Sequence, residues 1–82
     1  MKEQFIIQIN AGSDPTTLNR LASLFTRRRI PIDSLQAISI SPDKRQRFLI
    51  TVRENIDTIQ KLSKQIEKQV DVMDVSLFIQ TQ

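Results

Sequence analysis

Residues 37–53, AISISPDKRQRFLITVR, decide the fold. Ser41-Pro42-Asp43-Lys44 is a cluster of turn residues with apolar alternation on either side. After the turn, Phe48, Ile50 and Val52 fall on one face of a strand over 46–53; Arg47, Leu49, Thr51 and Arg53 fall on the other. Before it, a strand over 30–41 carries Ile30 and Ile32 in one phase and Leu35 and Ala37 in the opposite one. A slip of one residue inside a strand predicts a bulge near Asp33-Ser34. Two strands joined by so short a connection form a hairpin, so everything outside it divides into two flanking units.

The flanks read alike. Residues 3–10 alternate, with Phe5, Ile7 and Ile9 on one side and Ile6, Gln8 and Asn10 on the other. Ala11-Gly12-Ser13-Asp14-Pro15 is a turn, and Asp14 followed by Pro15 predicts a helix start with Asp14 as N-cap and Pro15 as first residue. The helix is expected over 15–28, with Leu18, Leu21, Ala22 and Phe25 on one face, widened by Leu24. Arg27, Arg28 and Arg29 suit its negative end, and Pro31 turns the chain out of helix. On the other flank a helix is expected over 55–69, with Ile59, Leu62 and Ile66 in its buried stripe, Ile56 at its start, and Lys61, Lys64, Glu67 and Lys68 in water. A last strand over 70–79 slips phase near Met73-Asp74. The tail Gln80-Thr81-Gln82 is polar and expected to fray.

The order is β-α-β-β-α-β. Two right-handed crossovers place both helices on one face of a four-stranded antiparallel sheet, an α+β, ferredoxin-like architecture. The strands nevertheless supply apolar residues to both sheet faces, Ile6 and Leu49 on the second. A surface for self-association or for a partner is expected there or at an edge strand.

The 82 residues make one domain, with a core of about 3–79. A chain this short buries little more than ~60% of its unfolded surface, so pairing helps it. Hydrophobic residues at 39% and charged residues at 26% fit a soluble globule. No apolar run approaches the ~18–20 residues of a membrane span, and the N-terminus does not read as a signal peptide, so a cytoplasmic protein is expected. The chain has no cysteine and no histidine, which removes disulfides, thiol nucleophiles, imidazole bases and zinc sites built on them. The single glycine, Gly12, is too few for phosphate-binding loops or dinucleotide fingerprints. Without tyrosine as well, acid–base chemistry would fall to carboxylates and lysines alone, so a self-contained enzyme is not expected.

Three features could mark a site. Arg27-Arg28-Arg29, extended by Lys44, Arg45, Arg47 and Arg53, could grip RNA; it reads better as a solvated helix end. The strand QRFLITVR lacks the Gly-aromatic signature of RNA-recognition sheets, and Phe5 and Phe48 share the face that meets the helices, so nucleic acid is not expected. The loop 12–17 leads into a helix N-terminus, which could hold a carboxylate or phosphate or could simply be capped by Asp14. Asp71 and Asp74 read as solvated carboxylates at a strand bend, with no metal dyad.

The stretch 17–41, TLNRLASLFTRRRIPIDSLQAISIS, resembles the start of the ACT domain in the regulatory (small) subunit of acetolactate synthase. That family shows Leu-x-Arg-(apolar)-x-x-Leu-Phe, here Leu18, Arg20, Leu21, Leu24 and Phe25, then Ile-(acidic)-Ser-Leu, here Ile32, Asp33, Ser34 and Leu35. QIEKQVDVMDVSLF, residues 65–78, is similar to the helix ending in Lys-x-Val-Asp-Val-x-x-Val, with Val70, Asp71, Val72 and Val75 in place. The resemblance implies a non-catalytic subunit that binds and activates the acetolactate synthase catalytic subunit in branched-chain amino acid biosynthesis. Thiamine diphosphate, FAD and magnesium would belong to that partner, with no cofactor bound by this chain. It also implies a homodimer by side-by-side ACT pairing, with an effector amino acid at the interface.

The implied effector positions are Ser13, Asp14, Pro15, Thr16, Thr17 and Leu18 in the first loop and helix, and Pro31 before the second strand. Valine-responsive members carry Asn-x-x-Gly-x-Leu there; Ser13 and Thr16 replace the Asn and Gly, Pro31 replaces a second Asn, and Arg29 replaces a turn Gly. Weak or absent valine feedback is therefore expected. Asp14-Pro15-Thr16-Thr17-Leu18 fits the short, single-domain class. The rival expectations are an amino-acid-sensing ACT domain serving another enzyme, and a small RNA-binding domain.

Overall fold

The computed structural model describes residues 1–80, and the elements run β1 (Glu3–Ala11), α1 (Thr17–Arg27), β2 (Ile32–Ile40), β3 (Arg45–Glu54), α2 (Ile56–Glu67) and β4 (Val72–Gln80). The sheet is four-stranded in the order β2-β3-β1-β4, every neighbouring pair antiparallel. This is the expected ferredoxin-like arrangement. The expected frayed tail is corrected at Gln80, which is the last residue of β4; Thr81 and Gln82 lie outside the described residues.

Alternation along β1 and β3 builds the core. Phe5, Ile7 and Ile9 face Val52, Ile50 and Phe48 across the central pair, and all are fully buried. The helices close over them with Leu21, Leu24 and Phe25 from α1 and Ile59, Leu62 and Ile66 from α2. Each such side chain contributes about 1.5–3 kcal/mol on burial, so the central strands and helix stripes hold the domain together. Phe5 and Phe48 are therefore closed to any base-stacking role.

Both predicted phase slips are present. The register between β2 and β3 shifts between Ile32 and Ser34, and β1 pairs Asn10 with Asp74 but Ala11 with Val72, leaving Met73 as the extra residue. Several boundaries differ. The start of α1 moves from Pro15 to Thr17: Asp14 does cap the Thr16 N–H, but the Thr17 N–H closes a separate turn on the Asp14 carbonyl at 3.3 Å before the regular helix begins. Asn55 is the N-cap of α2, and Ile56, expected at its start, is the first helical residue and is exposed.

The largest departure from the pattern is β2. Leu35 and Ala37 stand opposite Ile50 and Phe48, in the phase that faces the helices, yet both are exposed. The helical layer stops short of this edge. From Asp33 to Ser39 every residue of β2 is exposed, and Leu35 and Ile38 keep 38% and 41% of their surfaces in water. Of its charged residues the strand holds only Asp33, and it has no lysine or proline to discourage pairing. No helix among the described residues is long and apolar enough to cross a membrane.

Candidate functional site

The loop between β1 and α1 is pinned from two sides, by Asp71 before β4 and by Gln46 of β3. Gly12 N–H donates to the Asp71 carbonyl at 2.8 Å. From the turn before β4, the Asp71 carboxylate accepts from the Asp14 N–H at 3.2 Å and from the Thr17 hydroxyl at 2.8 Å. Asp71 has φ 82°, a left-handed conformation that Asp tolerates better than most residues. From β3, Gln46 Nε2 donates to the carbonyls of Gly12 and Asp14, at 3.0 and 2.9 Å. Asp71 is thus half-buried, which corrects the solvated reading: a turn that looks terminal in sequence folds back onto the first loop.

Gly12 is required by that contact. A Cβ there would collide with the Asp71 carboxylate, which Thr17 and Asp14 hold in place. The Thr17 hydroxyl, fully buried, finds its acceptor in Asp71.

Asp14 anchors a second network. Its carboxylate accepts the Thr16 N–H and the Thr16 hydroxyl, each at 2.8 Å, and takes an ion pair from Arg20 Nη2 at 3.1 Å. Arg20 Nη1 also donates to the Thr16 hydroxyl at 2.8 Å. Arg20 Nε is the one buried side-chain polar atom without a partner among the described residues. The Thr16 hydrogen bonds first, and Arg20 after them, lower the Asp14 carboxyl to about 2. A depressed carboxylate stabilises the loop fully above its unfolded value near 3.8, and the contribution disappears as pH falls toward about 2. An NMR titration of the Asp14 carboxyl carbon is expected to show a midpoint of about 2, raised toward 3.8 in Arg20→Gln and Thr16→Val. A wild-type midpoint at 3.8 would mean that the network does not hold in solution.

Between this loop and the β2–β3 hairpin lies an open cavity of about 270 Å³, lined by Ser13, Pro15, Ala37, Ile38, Ser39, Lys44 and Gln46. It offers two hydroxyls, an amide and one cation, with apolar flanks. Of the expected site residues, the structure brings Ser13 and Pro15 to this cavity. Asp14, Thr16 and Thr17 are committed to holding the loop, and Leu18 packs against the core. Pro31 lies at the far end of β2, eight residues from Ser39, roughly 25 Å along an extended strand. One chain therefore does not assemble the full set.

Ala37, Ser39, Gln46 and Asp71 were not singled out as site residues by the sequence, and Lys44 was named only in the basic set weighed for RNA. Gln46 had a signal: it falls in the same phase as Phe48 and Ile50, and a polar residue in a core phase usually has a partner to satisfy. Arg29, where the resembling family carries Gly, has φ 56°, the backbone region that favours glycine. Among the described residues no group of three or more His, Cys, Asp or Glu side chains converges as metal ligands.

A sequence model described as the AHAS small subunit-like ACT domain matches residues 7–74. The chain is similar in structure to an acetolactate synthase small subunit from Thermotoga maritima, with TM-score 0.78 and 26% identity; the match covers 90% of this chain and 46% of that one. The chain thus spans just under half of that subunit. It is also similar to the ACT domain of GTP pyrophosphokinase from Chlorobium tepidum, with TM-score 0.81 and 14% identity over 95% of this chain and 100% of that one. An uncharacterized protein from Thermotoga maritima superposes with TM-score 0.81 and 15% identity over 99% of this chain and 100% of that one. These last two establish the fold alone. Comparison with curated proteins gave no match.

Proposed function

The chain belongs to the AHAS small subunit-like ACT-domain family, and from that premise we propose that it is a cytoplasmic, non-catalytic regulatory subunit that binds and activates an acetolactate synthase catalytic subunit in branched-chain amino acid biosynthesis. In this reading the thiamine diphosphate, FAD and magnesium of the reaction belong to the partner, and the chain acts as a single ACT domain.

The observation that supports the proposal is the edge strand β2, exposed from Asp33 to Ser39, with Pro31 before one end and Ser39, beside the Ser13–Pro15 loop, toward the other. Antiparallel pairing of β2 with a second copy, centred near Leu35-Gln36, joins two sheets into one of eight strands. It also sets the partner's Pro31 beside Ser39 and the Ser13–Pro15 loop, which completes the set that one chain leaves apart. Edge pairing satisfies the free N–H and C=O groups of β2 and covers Leu35 and Ile38.

Weak or absent valine feedback follows from the same geometry. Thr16 puts a branched side chain, already engaged by Asp14 and Arg20, where the valine-responsive pattern has glycine. Pro31 offers neither an amide side chain nor a backbone donor.

The test is co-expression with the acetolactate synthase catalytic subunit of the same organism and an assay of pyruvate condensation with and without valine. The expected result is activation of several-fold or more, with little inhibition by valine. Activation with strong valine inhibition would refute the reading of Ser13, Thr16 and Pro31 and leave the regulatory role intact. A chain that forms no complex and gives no activation is an ACT domain serving another enzyme.

A further inference from the structure

The cations of the molecule are distributed unevenly between those with partners and those without. On the sheet and its hairpin, Lys2 pairs with Glu54 and Arg45 with Asp43, and in the helical layer Arg20 of α1 pairs with Asp14 of the loop before it. On the open sheet face, Arg47 Nε donates to Asn10 Oδ1 at 3.0 Å, and Asn10 Nδ2 donates to Asp74 Oδ1 at 2.7 Å, a neutral ladder across three strands. Beyond Arg20, no cation of the helical layer forms an ion pair among the described residues. Among the described residues, no carboxylate is within ion-pair distance of Arg27, Arg28, Arg29, Lys61, Lys64 or Lys68.

These six converge. Arg28 Nε donates to Gln65 Oε1 at 2.7 Å, which brings the end of α1 onto the last turn of α2. Lys61 precedes Gln65 by four residues and Lys68 follows it by three, so both share its side of the helix, and Lys64 lies beside them. The acids of α2 are Asp57 and Glu67, one turn before Lys61 and on the flank toward β4, and neither forms an ion pair. Like charges at these spacings repel, and Asp57 and Glu67, at i−4 from Lys61 and i+3 from Lys64, offset them only in part, since neither reaches ion-pair distance.

We infer that this outward helical face, centred on Arg28, Lys61 and Lys68, docks on an acidic surface of the catalytic subunit; the inference rests on the function proposed above. The chemistry favours an acidic protein over the other polyanions. A nucleic acid gains from aromatic stacking, but Phe5, Phe25 and Phe48 are buried, and Phe78 lies on the opposite sheet face, across from Ile6. A lipid surface takes an amphipathic helix with apolar residues beside its cations, and the exposed side of α2 beyond its first turn offers only Gln60, Lys61, Lys64, Gln65, Glu67 and Lys68. Pairing through β2 leaves the face free. In a side-by-side pair both helical layers lie on the same side of the joined sheet, so a two-fold partner meets two such patches at once.

The test measures binding of the full chain to the purified catalytic subunit by biolayer interferometry at 50 and 300 mM KCl. It compares wild type, Lys61→Glu/Lys68→Glu, Lys61→Gln/Lys68→Gln, and Arg53→Glu on the open face as control. The charge reversal is expected to weaken binding about 10- to 100-fold, chiefly through the on-rate, and to flatten the salt dependence. The neutral pair should fall between, and Arg53→Glu should stay within about threefold of wild type. All positions are exposed, and thermal melts confirm that the variants fold. A wild-type complex indifferent to the charge reversal overturns this inference and leaves the regulatory reading standing. No wild-type complex at all fails both. A labelled 20-nucleotide RNA probe runs in parallel: salt-sensitive RNA binding lost on charge reversal, with the enzyme complex unchanged, reassigns the patch to nucleic acid and also overturns it.

Discussion

Alanine at Gly12 is expected to destabilise the domain by about 2–3 kcal/mol, lowering Tm by about 10–20 °C for a chain of this size. The new methyl displaces the Asp71 carboxylate, a flexible group that could move cheaply if it were free. It is not free, since it receives the Asp14 N–H and the buried Thr17 hydroxyl. Moving it leaves Thr17 unsatisfied, and a buried unsatisfied polar group costs about 1–3 kcal/mol. The cost of Gly12→Ala is therefore bounded by the cost of losing the Asp71 contacts. A double-mutant cycle checks this. In an Asp71→Gly background, where the left-handed backbone is kept and the carboxylate is gone, Gly12→Ala should cost less than about 0.5 kcal/mol. Additive effects in urea unfolding would show that the two turns do not depend on each other.

Lysines at Leu35 and Ile38 are expected to abolish self-association and, with it, activation of the catalytic subunit. Both side chains are exposed in the single chain, so each substitution should change the stability of the isolated fold by no more than about 0.5 kcal/mol. In an antiparallel β2 pair Leu35→Lys sets two cations side by side at the centre of the joint, Ile38→Lys adds one toward each end on the other sheet face, and the apolar cover of the joint is lost. Analytical ultracentrifugation at 10–100 µM should show the wild type as a dimer and Leu35→Lys/Ile38→Lys as a monomer, a loss of about 100-fold or more in dimer affinity. Circular dichroism should be unchanged. A wild-type monomer at the upper concentration, or a variant that stays dimeric, would refute pairing through β2.

The architecture was legible because local rules agreed. Alternation in 46–53 and 3–10, two amphipathic helices, and turn residues between them leave few ways to bury Phe5, Ile7, Phe48 and Ile50. Even the two bulges showed, because a bulge reverses side-chain phase and the phase is written in the residues. Helix starts were less legible. Asp14-Pro15 reads as N-cap and first residue, and Asp14 does hold the N–H two residues on, but the Thr17 N–H closes a turn on the Asp14 carbonyl, so the regular helix starts two residues later.

The functional region was legible as a family motif and opaque as geometry. Ser13, Thr16 and Pro31 could be named from the pattern, but not that Thr16 is tied to Asp14 and Arg20 or that Pro31 lies a strand's length away. Asp71 belongs to a motif that sequence alone assigns to a solvated bend. Its role depends on residues 54 and 57 positions earlier, Thr17 and Asp14, and no periodicity reports contacts over that separation. The sequence by itself determined the order of elements, the core and the uneven count of charges, because each follows from neighbours within one strand or one helical turn. Only the tertiary structure decided that the helices stop short of β2, that Asp71 locks the first loop against Gly12, and that Arg28 meets α2 at Gln65. Those outcomes depend on how layers stack and how turns meet across the sheet.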